Sequence, residues 1–396
     1  MLDPLRFSDP IVKVYEECVD ELLVMLARHF NTKATGNTSS FEYEVEMLSR
    51  MGAIRRDTAA IIARHVAKNE PMIELAIEQA MLDALESVEP ELKKAAVNGM
   101  LHDTPMELND FVRDRLTAYA AQAREPLNLV NTVMLEGTMD AYRKGVYAAT
   151  DIVRQMDAAQ AVLNAETGKV STGVSTLQKA VKSGVTRMHR EGITGFVDRG
   201  GHKWSAEAYV RMDIKTTVSN IANRAVMERN AQYGNDLIWV RTNATARPGC
   251  YPWQGKVISM GNRARDVVDG SGKTVHAYAV SETTYGQSDG IYGINCHHGP
   301  MNVFVPGLSY VRIAGTEPPR AENDAQYELK QEQRRLERAV RYAKRELAML
   351  KSAGADEESI AAASRKVKLK QTAVRAFVRD NPGLVRDYSR EAIYQP

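Results

Sequence analysis

Apolar residues at helical spacing run through most of the chain. One stretch, residues 243–308, interrupts them with a concentration of cysteine, histidine, tryptophan, glycine and proline. It opens with Ala246-Arg247-Pro248-Gly249-Cys250-Tyr251-Pro252-Trp253-Gln254-Gly255-Lys256-Val257 and closes with Tyr292-Gly293-Ile294-Asn295-Cys296-His297-His298. Turn-forming residues punctuate it too densely for a helix. The chain is therefore expected to set a compact, loop-rich module among helices.

The flanks define the rest. Ile11, Tyr15, Val19, Leu22 and Leu26 recur at helical spacing, with Cys18 on the same apolar face. A turn-rich loop follows over residues 31–40. Helices are expected over 41–51 and 55–68, separated by Gly52, with a restart at Pro71 and an end or kink at Pro90. Residues 110–163 read as helix broken at Pro126 and near Gly145. A basic helix over 168–191 leads to a hairpin around Gly200-Gly201, and a helix over 206–233 stops at Gly234-Asn235 before the strand Leu237-Ile238-Trp239-Val240. Asp269-Gly270-Ser271-Gly272-Lys273 lacks phosphate-loop spacing and reads as a turn between short strands, and Asp289-Gly290 as a second hairpin-type turn. After Pro318-Pro319, Leu329, Leu336, Val340, Ala343, Leu347 and Leu350 follow heptad spacing, and Ile360, Ala363, Val367, Val374 and Phe377 form a second stripe. The fold class is thus α+β, predominantly helical: an N-terminal helical bundle over 1–165, a small β-containing central module over 166–318, and a C-terminal helical hairpin and tail over 319–396.

Three readings compete for Cys250, Cys296 and His298. A metal-free structural core treats the thiols as small buried hydrophobes and is preferred. Zinc is the alternative, but only the second half of the motif has clustered ligand types, and a fourth ligand would have to come from His297 or Asp289. A Cys–His catalytic pair requires a geometry that sequence adjacency does not show. Three widely spread cysteines form no disulfide framework.

The same residues carry a resemblance. Ala-Arg-Pro-x-Cys-x-x-x-Gln-Gly-Lys-Val, then Thr283-Thr284-Tyr285-Gly286, then Gly-x-Asn-Cys-x-His and Val305-Pro306-Gly307-Leu308 resemble the phage minor capsid protein 2 family of tailed bacteriophages. Gly192-Ile193-Thr194-Gly195-Phe196-Val197-Asp198 upstream and the run from Gln331 to Arg338 downstream fit the same family. The motif core is Arg247, Cys250, Gln254, Gly255, Lys256, Asn295, Cys296 and His298. Asn243 stands where the family pattern has a histidine. The resemblance implies a structural virion protein, a minor head component associated with the portal or the major capsid protein, with a role in DNA packaging or ejection. It places the protein in the capsid interior or portal vicinity, after assembly in the host cytoplasm.

Charge refines the partner question. The net charge of +2 gives no bulk attraction to DNA, but bases collect late in the chain. Arg334, Arg335, Arg338, Arg341, Lys344 and Arg345 are therefore candidates for weak, sequence-independent DNA contact, although acids interleave with them. No apolar run reaches the roughly 20 residues of a membrane span, so no membrane anchor is expected. The remaining functional alternative is an enzyme in the central module, a Cys–His hydrolase or a nucleotide-using transferase. It requires Cys250, Cys296 and His298 to line an open cleft instead of a closed core.

Overall fold

The computed structural model describes residues 7–30, 39–103, 106–167, 174–197, 203–308 and 317–394. Most of the expected 31–40 loop and the Gly200-Gly201 turn lie outside them. The helices are α1 (Asp9–His29), α2 (Ser40–Ser49), α3 (Met51–Val97), α4 (Leu108–Thr167), α5 (Val174–Glu191), α6 (Ala206–Gln232), α7 (Arg320–Ser352) and α8 (Glu357–Asp380). The strands are β1 (Thr194–Val197), β2 (Lys203–Ser205), β3 (Leu237–Trp239), β4 (Val257–Ser259), β5 (Arg265–Val268), β6 (Thr274–Ala279) and β7 (Asn302–Val303). The fold is a predominantly helical α+β, as the sequence implies. Among the described residues, no helix is long and apolar enough to cross a membrane.

Five expected breaks are absent. α3 runs for 47 residues straight through Gly52, Pro71 and Pro90, and α4 for 60 residues through Pro126 and Gly145. A proline inside a helix costs roughly 3 kcal/mol. Between and beyond its prolines, however, α3 buries Ile73, Ile77, Met81, Leu85, Val88 and Leu92. Each such side chain contributes about 1.5–3 kcal/mol, so burial outweighs the local penalty.

Contacts divide the chain into two compact units, each assembled from three stretches. One comprises residues 13–68, 128–209 and 331–396. There Phe30 stacks edge-on against Tyr142 at 5.2 Å, and the Tyr142 hydroxyl donates to the Met47 carbonyl at 3.1 Å. α4 and α5 approach closely at two glycines: a Cβ on Gly145 would lie 2.5 Å from Met188 Cγ and 3.1 Å from the Gly184 carbonyl oxygen. Gly145 is thus a packing glycine, not a break. α7 and α8 make the expected hairpin. Gly354 turns it at φ 67°, Asp356 accepts the Ser359 amide at 2.7 Å to cap α8, and Lys366 pairs with Glu346 at 2.6 Å. The tail after α8 is stitched to α7 by fully buried Glu337, which accepts from Gln333 Nε2 (2.7 Å), the Asp387 amide (2.9 Å) and Arg390 (3.3 Å). β1 and β2 pair antiparallel in the expected hairpin.

The other unit comprises residues 1–12, 69–127 and 210–330. Its sheet has the order β5-β6-β4-β3-β7, antiparallel except for the parallel β4–β6 pair. Leu237, Val257, Ala277 and Phe304 form its core, with Trp239, Val267 and Val275 against it. The β5–β6 turn is the one anticipated at 269–273: the Asp269 carboxylate accepts the Ser271 and Lys273 amides at 2.9 and 3.0 Å, and Gly272 takes φ 84°. α6 ends at Gln232 with Gly234 at φ 75°, also as expected. Its Arg229 is fully buried. The guanidinium pairs with Glu89 through two hydrogen bonds and donates to the Met106 carbonyl at 2.9 Å, while the Tyr233 hydroxyl donates to Glu89 at 2.9 Å. Burial pushes the Glu89 carboxyl up, but the hydrogen bonds and charge of Arg229 outweigh it and hold the pKa below its ordinary value.

The glycine contact yields a measurable outcome. Gly145→Ala gains up to about 1 kcal/mol of helix propensity but forces Met188 and the Gly184 backbone apart, at an overpacking cost of about 1–3 kcal/mol. The expected result is a lower urea midpoint at unchanged m-value. A raised midpoint would show that α4 and α5 do not meet as described.

Candidate functional site

The module's irregular segments are held by side chains from the neighbouring helices. α6 presents Thr216, Ser219, Asn223, Met227 and Asn230 along one stripe at helical spacing. Thr216 Oγ1 accepts the Asn295 amide at 3.3 Å, Asn223 Oδ1 accepts the Met301 amide at 3.0 Å, and the Tyr285 hydroxyl donates to Met227 Sδ at 3.5 Å. Asn230 Nδ2 donates to the Leu237 carbonyl at 3.1 Å, and Asn235 Nδ2 to Phe304 O at 2.9 Å. From the start of α7, fully buried Asn323 accepts the Ala246 amide and donates to the Ala246 carbonyl, both at 2.8 Å. The Tyr251 hydroxyl donates to Pro318 O at 2.9 Å.

Between these anchors the segment 283–301 contains turns and no strand. Asp289-Gly290 is therefore a turn within an irregular loop, not a hairpin between strands. The loop is too tight for side chains at two points: a Cβ on Gly290 would collide with the Thr284 carbonyl oxygen, and one on Gly293 with that of Gln287. Tyr292 and Asn295 take left-handed φ values of 54° and 53°. That conformation costs a side-chain-bearing residue about 1–2 kcal/mol. It curls the chain so that the Tyr292 amide donates to Cys296 Sγ at 3.0 Å.

Five residues of the motif core converge. Cys250, Cys296 and His298 offer ligand atoms that all lie within 4.8 Å of one another, and the residues are only 1%, 5% and 2% exposed. Cys296 Sγ lies 3.4 Å from His298 Nδ1, and His298 Nε2 lies 3.3 Å from Gln254 Oε1. The Asn243 backbone amide donates to the same Gln254 oxygen, which settles that atom as an acceptor. His298 must then donate from Nε2, and in the neutral ring the lone pair sits on Nδ1, facing the sulfur. Arg247 donates to the Gly290 carbonyl at 3.1 Å and to Cys250 Sγ at 3.8 Å. The Cys250 thiol also points at the Asp289 carbonyl, 3.9 Å away.

The two thiols behave as one acid pair. The hydrogen bond from Cys250 holds the Cys296 thiol well below its ordinary value against the opposing effect of burial, with help from His298, while the same bond and burial hold Cys250 above it. Burial, reinforced by the nearby cysteines, pushes the Tyr292 phenol up, and its hydroxyl has no hydrogen-bond partner among the described residues. Gln254 Nε2 is also buried without one.

The other candidates fall elsewhere. Gly255 turns the chain at φ 68°, Lys256 Nζ lies 6.0 Å from the Tyr278 ring, and Asn295 meets α6. His297 and Asp289 are exposed, so neither side chain joins the cluster. Of the six bases proposed for DNA, Arg341 and Arg345 are buried in ion pairs with Glu16 (2.8 Å) and Asp20. They cannot reach phosphate, because the acids that neutralise them are packed against them. Lys344 donates to the Glu391 carbonyl at 2.8 Å, Arg335 pairs with Glu332 at 2.6 Å, Arg338 is exposed and Arg334 half-buried. Sequence reasoning overlooked Asn223, Asn323 and Tyr292. Asn223 left a trace as a polar interruption of the apolar face of α6, and Tyr292 only as the first residue of the closing motif.

The family model described as phage minor capsid protein 2 matches residues 4–379. A structural protein of Lactococcus phage LL-H is 28% identical over 362 residues, covering 89% of each chain. No solved structure matches.

Asn323→Ala removes this anchor. It strands a buried amide and a buried carbonyl of Ala246, each worth about 1–3 kcal/mol when unsatisfied. Urea unfolding should register a loss of at least that size, with faster hydrogen exchange at the Ala246 amide than in the unaltered chain. Unchanged exchange there would remove Asn323 from its anchoring role.

Proposed function

The chain belongs to the phage minor capsid protein 2 family, and from that premise we propose that this phage structural protein is mounted in the head against the portal or the major capsid protein, as an architectural part and not an enzyme. The observation that carries the reading is the extent of the match, which takes in the helical regions as well as the central module. The site's geometry supports the architectural role. A hydrolase would need its nucleophile and base open to substrate, whereas Cys296 and His298 are sealed. The turn at Asp269 is filled by its own carboxylate, leaving no cradle for a phosphate. A role in packaging or ejection would follow from a position beside the portal.

Protein contact is favoured over DNA contact. Buried and paired bases on α7 leave little free positive charge there, and phosphate binding scales with the number of free cations. In gel-shift titrations the full chain should give no complex at either low or moderate salt. A salt-sensitive complex weakened by Arg335→Ala and Arg338→Ala would return DNA to the account.

Location is the direct test. Mass spectrometry of purified heads should find this protein, and heads assembled without portal should be depleted of it if the portal is the mount. Equal amounts in both preparations would shift the mount to the major capsid protein, and absence from both would end the proposal.

A further inference from the structure

A metal-free thiol core leaves two features of the 250–298 cluster without a physical reason. The His298 imidazole is held with its Nδ1 lone pair towards Cys296 Sγ by a chain running from the Asn243 amide through Gln254 Oε1 to Nε2. A core histidine needs no such orientation, whereas a ligating histidine is oriented by a hydrogen bond on its other nitrogen. Backbone strain at Tyr292 and Asn295 aims an amide at Cys296 Sγ, which suits a sulfur carrying negative charge.

We propose that Cys250 Sγ, Cys296 Sγ and His298 Nδ1 bind one zinc ion, with a water molecule as fourth ligand. Zinc with sulfur at about 2.3 Å and nitrogen at about 2.0 Å places tetrahedral ligand atoms roughly 3.5–3.8 Å apart. The observed Cys296 Sγ to Nδ1 separation of 3.4 Å is close to that edge, and the whole set lies within 4.8 Å. Two thiolates and a neutral imidazole around Zn²⁺ make an uncharged centre, which suits burial. As the two Zn–S bonds form, any proton still on either sulfur passes to solvent, so affinity falls as the pH is lowered. His297 and Asp289, the sequence candidates for a fourth ligand, are exposed and take no part.

The test uses the full chain purified without chelators or a metal-affinity tag. Elemental analysis should find close to one zinc per chain, and removing it with a chelator should make Cys250 and Cys296 reactive to a thiol reagent under native conditions. Cobalt reloading should give thiolate-to-metal charge-transfer absorption, weakened to about half or less in Cys296→Ser, which keeps only the Cys250 thiolate. Gln254→Ala, which touches no metal, should weaken zinc binding about 10-fold or more. If Cys296→Ser does not fold, the measurements on the unaltered chain and on Gln254→Ala still decide. A folded chain that stays metal-free after incubation with equimolar zinc overturns the proposal. So does a chain isolated with a Cys250–Cys296 disulfide. Metal content is measured on the isolated chain and is independent of its place in the head.

Discussion

A backbone that leaves regular secondary structure must still pair its amides and carbonyls, and in the central module the side-chain amides of asparagine meet much of that demand. Asn223, Asn230, Asn235 and Asn323 are all buried, and each bonds main chain of the module. They act as substitutes for missing strands. Because two of them lie on α6, the orientation of that helix is transmitted to the module. The buried Arg229–Glu89 pair in turn fixes α6. Truncating one partner of such a pair typically costs 3–5 kcal/mol, since the other charge is left buried. Arg229 is therefore upstream of the cysteine cluster although it touches none of it.

What the sequence disclosed follows from the range of each interaction. The turn at 269–273 and the stop at Gly234 depend on neighbouring residues, and both were legible. The prolines of α3 were misread because a local penalty was set against burial that only the assembled structure reveals. Gly145 misled for the same reason, its use being contact with Met188 and Gly184 on another helix. Cys250, Cys296 and His298 stood out by rarity and framing. Asn323 could not, since its partner Ala246 is 77 positions away and a lone asparagine carries no pattern.

Charge shows the limit of reading along one helix. Arg341 and Arg345 look like part of a basic stripe until Glu16 and Asp20, about 325 positions earlier, are brought against them. What reads as a surface for a polyanion is, at those two positions, internal wiring. A virion component has reason to hide such charge, because an exposed basic helix close to packaged DNA would attract it without specificity.

The reach of that wiring bears on the order in which the chain can fold. Asp20 is neutralised by Arg345 and also accepts the amide of Tyr394, 374 residues further on. A nascent chain that has just completed α1 carries a carboxylate whose native partners have not been translated. Burying it early would be costly, so α1 must keep that face wet or shielded until α7 and the tail arrive. Completion of this unit therefore waits for α7 and the tail, and a chain cut short before Arg345 leaves the Asp20 carboxylate without the cation that neutralises it.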